Sequence, residues 1–367
     1  MRLAYVSTGL GAHDQRFLRL FLSAGLAPVF VSLSEPVDAT HVPDGVPHFE
    51  ARDVASLRRI VCDPAIEVVV AGPVPTCGLQ AARAGARPLI LLSWGFDLLR
   101  DVPRDAHVAQ AAVEALRGAY ALVCDCQAVR HAATSLGMPG DRCIDLPWGL
   151  EAPLRSWAGE PAALRMQPGW RDAILVVSVR SWEPLYRLDT VIEGFAKAHA
   201  EDPRLRLVLA GGGSLAPEVQ QRILHLGLAS AVYCPGRLQR EQLMALHAAC
   251  DLYVSASEVD GTSISLLEAM ASRLPAIVSD IPGNREWVVP GRTGARFPVG
   301  EADALASALL EAARLPPASR AAMGNQAREQ IILRADWERN AERLIALLRQ
   351  AAADRQAGTD RSIFQLS

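Results

Sequence analysis

Ten short runs rich in Val, Ile, Leu and Ala, alternating with stretches long enough for helices, constrain this chain more than any other feature. The first five are Leu3–Ser7, Pro28–Leu33, Glu67–Ala71, Leu89–Ser93 and Ala121–Asp125; the second five are Ile174–Val179, Arg206–Ala210, Ala231–Cys234, Leu252–Ser255 and Ala276–Ser279. Their apolar residues are nearly continuous rather than alternating with polar ones. Strands buried on both faces have that pattern, as in a parallel sheet covered by helices. Helix-like segments such as Asp14–Ala24, Ala106–Arg117, Asp189–Ala200, Ala216–Leu226 and Ser265–Ser272 supply the crossovers. Strand–helix–strand repetition of this kind predicts right-handed crossovers and a doubly wound α/β fold. The repetition stops in a stretch rich in Pro, Gly and Trp, so two domains are expected, 1–155 and 171–335, with a linker at 156–170. Residues 336–367 are expected to form a helix returning to the first domain, followed by a frayed tail. Ligands of doubly wound sheets bind beyond the carboxyl ends of the strands, so a cleft between two facing sheets is the expected site.

Composition removes several classes. Half of the 367 residues are hydrophobic, ample for two cores. A net charge of −3 gives no basis for a nucleic-acid partner, which would call for a basic face. The seven cysteines are odd in number and lie in or beside apolar runs, which fits reduced thiols better than a disulfide framework. Cys124 and Cys126 are spaced for one strand face, but no further ligands stand at zinc spacing, so no metal is expected. The amino terminus has no secretory pattern and no apolar segment reaches spanning length, which predicts a cytoplasmic protein. Asp14–Ala24 carries Phe17, Leu18, Leu20, Phe21 and Leu22 with Arg16 and Arg19. It is read as packing on its own sheet, with peripheral contact at the inner membrane face as the other use of such a helix.

The most informative segment for chemistry is Glu258–Ile281, EVDGTSISLLEAMASRLPAIVSDI. A strand ends, a polar loop follows, and a helix starts near Thr262 or Ser263. A helix start presents free N–H groups and the positive end of the dipole, and so attracts anions. Asp260 and Glu268 flank this turn with carboxylates. The layout suits a diphosphate held between two hydroxyl-rich groups, as in a sugar nucleotide. Asp260 and Ser263 as plain helix caps, with Glu268 on the wet face, is the competing reading.

The carboxyl-terminal half resembles family 4 glycosyltransferases, whose marker is an acidic pair at E-x7-E spacing, a small-residue helix, a Gly-Leu-Pro turn and a strand. Here these read Asp260-x7-Glu268, Ala269–Ser272, Arg273-Leu274-Pro275 and Ala276–Asp280, followed by Pro282–Glu286 and Gly291–Gly294. Ala210-Gly211-Gly212-Gly213 and Pro235-Gly236 also match, as do Ser93–Asp97 and Leu146–Gly149 in the first domain. The resemblance is strong over 174–294 and weak over 1–150. It implies the GT-B fold, two Rossmann-like doubly wound parallel-sheet domains facing across a cleft. It also implies retaining transfer of a sugar from a nucleotide diphosphate donor to a hydroxyl acceptor, a glycan, lipid-linked sugar or small metabolite, without cofactor or metal.

By the same resemblance, Glu268 meets the ribose hydroxyls and Asp260 the donor sugar. The backbone at Gly261, Thr262 and Ser263 meets the sugar and distal phosphate, and the base is read by backbone near 236–238. Arg180 matches a family arginine on the diphosphate. Tyr186 stands where a lysine is usual, and Arg187 beside it is the expected second cation. Asp260 is one methylene shorter than the usual Glu, and Thr262-Ser263 replaces Phe-Gly. Gly9 and Gly11, after the first strand, are expected near the donor phosphates; they do not form a dinucleotide fingerprint, because no third glycine follows. His13 and Asp97 are candidates on the acceptor side, Asp97 equally as a helix cap. A sugar-nucleotide epimerase of the same architecture, or a non-catalytic nucleotide-sugar-binding subunit, would share most of these residues.

Overall fold

A computed structural model describes residues 1–34, 37–155, 157 and 159–358. The expected frayed tail lies largely outside the described residues. The chain divides into two compact units, Met1–Pro147 with Arg339 onward, and Trp148–Glu338.

The first unit has a parallel sheet of seven strands among the described residues: β1 (Arg2–Ser7), β2 (Ala27–Ser32), β3 (His48–Glu50), β4 (Val68–Ala71), β5 (Leu89–Leu92), β6 (Ala121–Cys124) and β7 (Cys143–Asp145). Their order is β3-β2-β1-β4-β5-β6-β7. Every residue of β4, β5 and β6 is buried, which explains their unbroken apolar composition. The helix Ala12–Ser23 turns its large apolar residues inward: Phe17, Leu18 and Phe21 are buried, and the rings of Phe17 and Phe21 lie 6.1 and 6.0 Å from that of Tyr5. The helix therefore packs on its own sheet. From Arg339 the helix Trp337–Gln356 belongs to this unit. The Tyr120 hydroxyl donates to Asp354 at 2.7 Å and Arg355 donates to the Ile66 carbonyl at 2.6 Å.

The second unit has six parallel strands in the order β10-β9-β8-β11-β12-β13: β8 (Ile174–Ser178), β9 (Leu205–Ala210), β10 (Val232–Gly236), β11 (Leu252–Ser255), β12 (Ala276–Ser279) and β13 (Gly294–Phe297). Two cores cover its faces, one around Phe195, Leu207 and Leu305, the other around Tyr253, Met270 and Trp287. The expected linker at 156–170 is a correction. Leu164 and Trp170 are buried in the second core, and the Ala162 N–H bonds to the Ala245 carbonyl at 2.8 Å. Its Pro and Gly residues mark an irregular strap, and its apolar side chains fasten that strap down. Trp148 and Glu338 bound the unit instead, with Leu150 bridged to Asp336 and Gly149 pressed on the backbone of Ala335–Trp337. A Cβ at Gly149 would lie 2.5 Å from the Trp337 nitrogen, so only glycine fits there.

Arg273 ends the helix Ile264–Ala271 with φ +62°, the left-handed position that glycine usually takes after a helix.

Candidate functional site

The strand order of the second unit reverses between β8 and β11. The chain leaves β8 towards β9 on one side and leaves β11 towards β12 on the other. The loops at the carboxyl ends of these two strands thus diverge and open a crevice, where ligands of such sheets bind. Arg180 follows β8, and Asp260, Gly261, Thr262 and Ser263 follow β11. Residues about eighty positions apart meet there because of this topology.

Arg180 is 8% exposed. One terminal nitrogen donates to the hydroxyls of Ser263 and Ser265, the latter at 2.8 Å; the other donates to the Asp260 carboxylate at 2.7 Å. The Tyr186 ring covers a face of the guanidinium, its centroid 4.1 Å from Cζ. Burial is the largest single influence and pulls against the charged form, but the Asp260 carboxylate together with Tyr253 and Tyr186 outweighs it, and the pKa of Arg180 is raised. The pair remains an ion pair.

Close backbone packing holds the loops. A Cβ on Gly211, whose φ is +138°, would lie 2.7 Å from the Arg180 carbonyl oxygen, and one on Gly213 would lie 2.5 Å from the Trp182 carbonyl oxygen. A Cβ on Gly283 would lie 2.1 Å from the Gly261 carbonyl oxygen and 2.6 Å from that of Asp260. The Glu258 N–H donates to the Leu185 carbonyl at 2.9 Å, stitching the loop after β11 to the turn carrying Tyr186. Buried Asn284 donates to the Ser279 carbonyl at 2.9 Å, and the Ser279 hydroxyl to the Ser257 carbonyl at 2.6 Å. The glycines in the family-like motifs are thus where one loop presses on the next.

Ser263 is the N-cap of the helix Ile264–Ala271, yet its side chain makes no capping bond and accepts from Arg180 instead. Asp260 is paired with Arg180 as well. The simple capping reading therefore does not describe the site. The Ser263 side chain thus leaves the N–H groups of the helix start uncapped, a condition that favours anion binding. Glu268 is half-buried, one face along from this start, and its charge is felt by Arg240, which donates to Glu151. Nearby, a cavity of about 250 Å³ is lined by Val179, Gly211, Gly212, Arg237 and Leu238 among others. It covers the segment expected to read a base.

Arg187, the expected second cation, sits beside Tyr186 at a helix start. Its backbone is left-handed (φ 47°, ψ 51°) at the start of the helix Leu188–Glu201, and its guanidinium is bound by Asp189 of that helix at 3.0 Å. Its hydrogen-bonded partner is thus on its own helix, and the ring against Arg180 is that of Tyr186. The usual lysine position, six residues after Arg180, was the sequence signal for Tyr186, but the ring contact was not legible.

In the first unit, the strand order reverses between β1 and β4, and Gly9 and Gly11 lie in the loop after β1. Gly11 starts the helix Ala12–Ser23, its N–H donating to Asp14 at 2.6 Å, while Asp14 accepts from the Tyr5 hydroxyl at 2.8 Å. His13 is exposed and stacks on Trp94, ring centroids 5.4 Å apart. Asp97 departs from its expected place on the acceptor side. It is fully buried and accepts from the Ser93 hydroxyl (2.7 Å) and the N–H groups of Val74 (2.9 Å) and Trp94 (3.1 Å). Burial raises its pKa against these hydrogen bonds. Asp97 thus fastens the Ser93 hydroxyl together with the backbone at Val74 and Trp94.

Among the described residues, no three His, Cys, Asp or Glu side chains gather as a metal site, and no helix is long and apolar enough to cross a membrane.

Residues 163–330, most of the second unit, match the family Glycosyl transferases group 1. A GDP-mannose-dependent α-(1-6)-phosphatidylinositol monomannoside mannosyltransferase of Mycolicibacterium smegmatis is 26% identical over 82% of this chain and 81% of its own length. A GDP-mannose-dependent α-mannosyltransferase of Mycobacterium tuberculosis is 28% identical over 77% of this chain and 73% of its own. The Anabaena protein HepE, solved in complex with UDP-glucose, superposes with a TM-score of 0.78 at 18% identity, over 95% of this chain and all of that one. That likeness shows the fold. Two parallel-sheet Rossmann-like units, each with its strand-order reversal, give this chain the GT-B fold, and most of its second unit is similar to the group 1 glycosyl transferases.

Proposed function

We propose that the chain is a retaining glycosyltransferase that moves a sugar from a nucleoside diphosphate donor to a hydroxyl acceptor. The observation that carries this reading is the convergence of Arg180, Asp260, Ser263 and Ser265 on an uncapped helix start at a strand-order reversal. In this reading Glu268 accepts from the ribose hydroxyls and Asp260 from hydroxyls of the donor sugar. The backbone at Gly261, Thr262 and Ser263 and the Arg180 guanidinium hold the diphosphate. The bond from the sugar's anomeric carbon to the phosphate oxygen breaks as the acceptor oxygen attacks from the same face. The acceptor proton passes to the departing phosphate oxygen. Arg180 and the helix N–H groups meet the charge that grows there, the electrostatic work such a step needs. No step calls for a metal or cofactor.

The names of the mycobacterial relatives include a lipid acceptor and a GDP-mannose donor. A lipid-linked hydroxyl met at the cytoplasmic face of a membrane, and a guanosine or uridine diphosphate sugar, are accordingly the first substrates to try. The test is thermal unfolding of the full chain with UDP, GDP or ADP. One of them at a hundredfold over its Kd should stabilise the protein by about 2.7 kcal/mol, and Glu268→Ala should abolish the shift. If none of the three raises the Tm, the donor site is wrong; if donor is consumed without any acceptor, transfer is wrong.

A further inference from the structure

The family-like lysine beside Arg180 is absent, and Arg187 pairs with Asp189 of its own helix. We infer that Tyr186 takes over the task by stacking, holding the Arg180 guanidinium in the orientation that meets the donor diphosphate. The inference rests on the reading of Arg180 as the diphosphate cation.

A guanidinium is flat, with five N–H donors along its edge. In Arg180 three hydrogen bonds to Ser263, Ser265 and Asp260 use the two terminal nitrogens, and Nε, also buried, makes none among the described residues. Bonds along the edge leave the group free to tilt about that edge, and a ring on its face removes the tilt. At 4.1 Å the Tyr186 centroid is within cation–π range, and the pairing strengthens where water is excluded, as around this 8% exposed arginine. The ring is also mounted firmly. Tyr186 ends the short turn Pro184–Tyr186, whose Tyr186 N–H bonds to the Glu183 carbonyl at 3.0 Å. Leu185 of that turn accepts from Glu258, and the Glu183 carboxylate accepts from the Ser214 N–H at 2.8 Å.

A lysine at 186 would set a second positive charge beside Arg180. A tyrosine presents the electron-rich face of its ring and, being uncharged, needs no counter-ion of its own. This chain thus meets the diphosphate with a single, rigidly held, permanently charged fork in place of two cations. Tyr186 acts through Arg180 and is a positioning residue.

The experiment measures calorimetric binding of UDP and GDP, and of uridine and guanosine, to the full chain and to Tyr186→Phe, Tyr186→Leu and Arg180→Ala. Tyr186→Leu should weaken binding of the nucleoside diphosphate about tenfold, the effect of losing a desolvated cation–π contact. Tyr186→Phe, which keeps the ring and loses the hydroxyl, should rescue most of that loss, and nucleoside binding should not change in either variant. If Phe is as weak as Leu, the hydroxyl rather than the stack is at work and the inference falls. It falls equally if Leu binds the diphosphate as well as the parent protein, or if Leu weakens nucleoside and diphosphate alike. If Arg180→Ala leaves diphosphate binding intact, the reading beneath the inference fails instead. Should the Leu variant unfold, Tyr186→Met, apolar and of similar reach, takes its place.

Discussion

Replacing Asp260 by alanine would leave the Arg180 charge buried without a counter-ion. The Arg180 side chain is 9% exposed and that of Asp260 19%, so water cannot take over the lost contact. Breaking a buried pair from one side costs about 3–5 kcal/mol, because the remaining charge stays desolvated. Ser263 and Ser265 continue to accept from Arg180, which places the cost near the lower end, about 3 kcal/mol. For a domain the size of the second unit, such a loss lowers the Tm by roughly 6–12 °C. Scanning calorimetry at neutral pH measures it directly. Two further arms separate the charge argument from loss of packing. Arg180→Met combined with Asp260→Ala should recover most of the Tm, since an apolar replacement of a whole buried pair is close to neutral. A nucleoside diphosphate should also raise the Tm of Asp260→Ala by more than it raises that of the parent, because the anion now supplies the missing negative charge. A fall of less than about 2 °C, or a double variant no more stable than the single one, would refute the reasoning.

Two more predictions come from the same unit. His247 is fully buried with neither ring nitrogen hydrogen-bonded among the described residues, and burial pushes its pKa down to about 4. The unfolded chain takes up the proton first, so this residue's stability contribution is complete above pH about 6.5 and is lost as the pH falls towards 4, about 3 kcal/mol in all. Denaturant titrations should show that slope in the parent and its absence in His247→Leu; equal slopes would disprove the assignment. Gly283→Ala forces a methyl against the carbonyl oxygens of Gly261 and Asp260 and should cost about 1–3 kcal/mol. It should also remove the Tm rise given by nucleoside diphosphates in protein that is still folded, whereas a normal rise would show that the loop tolerates displacement.

Most strands read from sequence were those whose residues are buried on both faces; β10, where only Val232 is buried, is the exception. β11 and β12 lie where their apolar runs begin and end. Three edge-zone strands were missed: β3, β7 and β13. Their sequences HFE, CID and GARF are three or four residues long, and only one residue of the first two is buried. Sheet edges carry polar residues, and so short a segment shows no period. The setting of Arg187 was hidden for a related reason. A sequence shows a cation in the right loop, but not that the carboxylate two residues on is its hydrogen-bonded partner.

The sequence by itself determined the two α/β units and the positions of Arg180, Asp260, Ser263 and Glu268 in loops and a helix start, because period and turn chemistry are local properties. It also carried the resemblance to family 4 glycosyltransferases, whose motifs are short contiguous strings. Only the tertiary structure decided which of those residues touch. The strand-order reversal between β8 and β11 brings Arg180 onto Asp260, Ser263 and Ser265, and a short turn carries Tyr186 onto the face of the guanidinium. Partners so far apart in the chain are chosen by sheet order and by where backbone can approach backbone, and neither is a property of any local stretch.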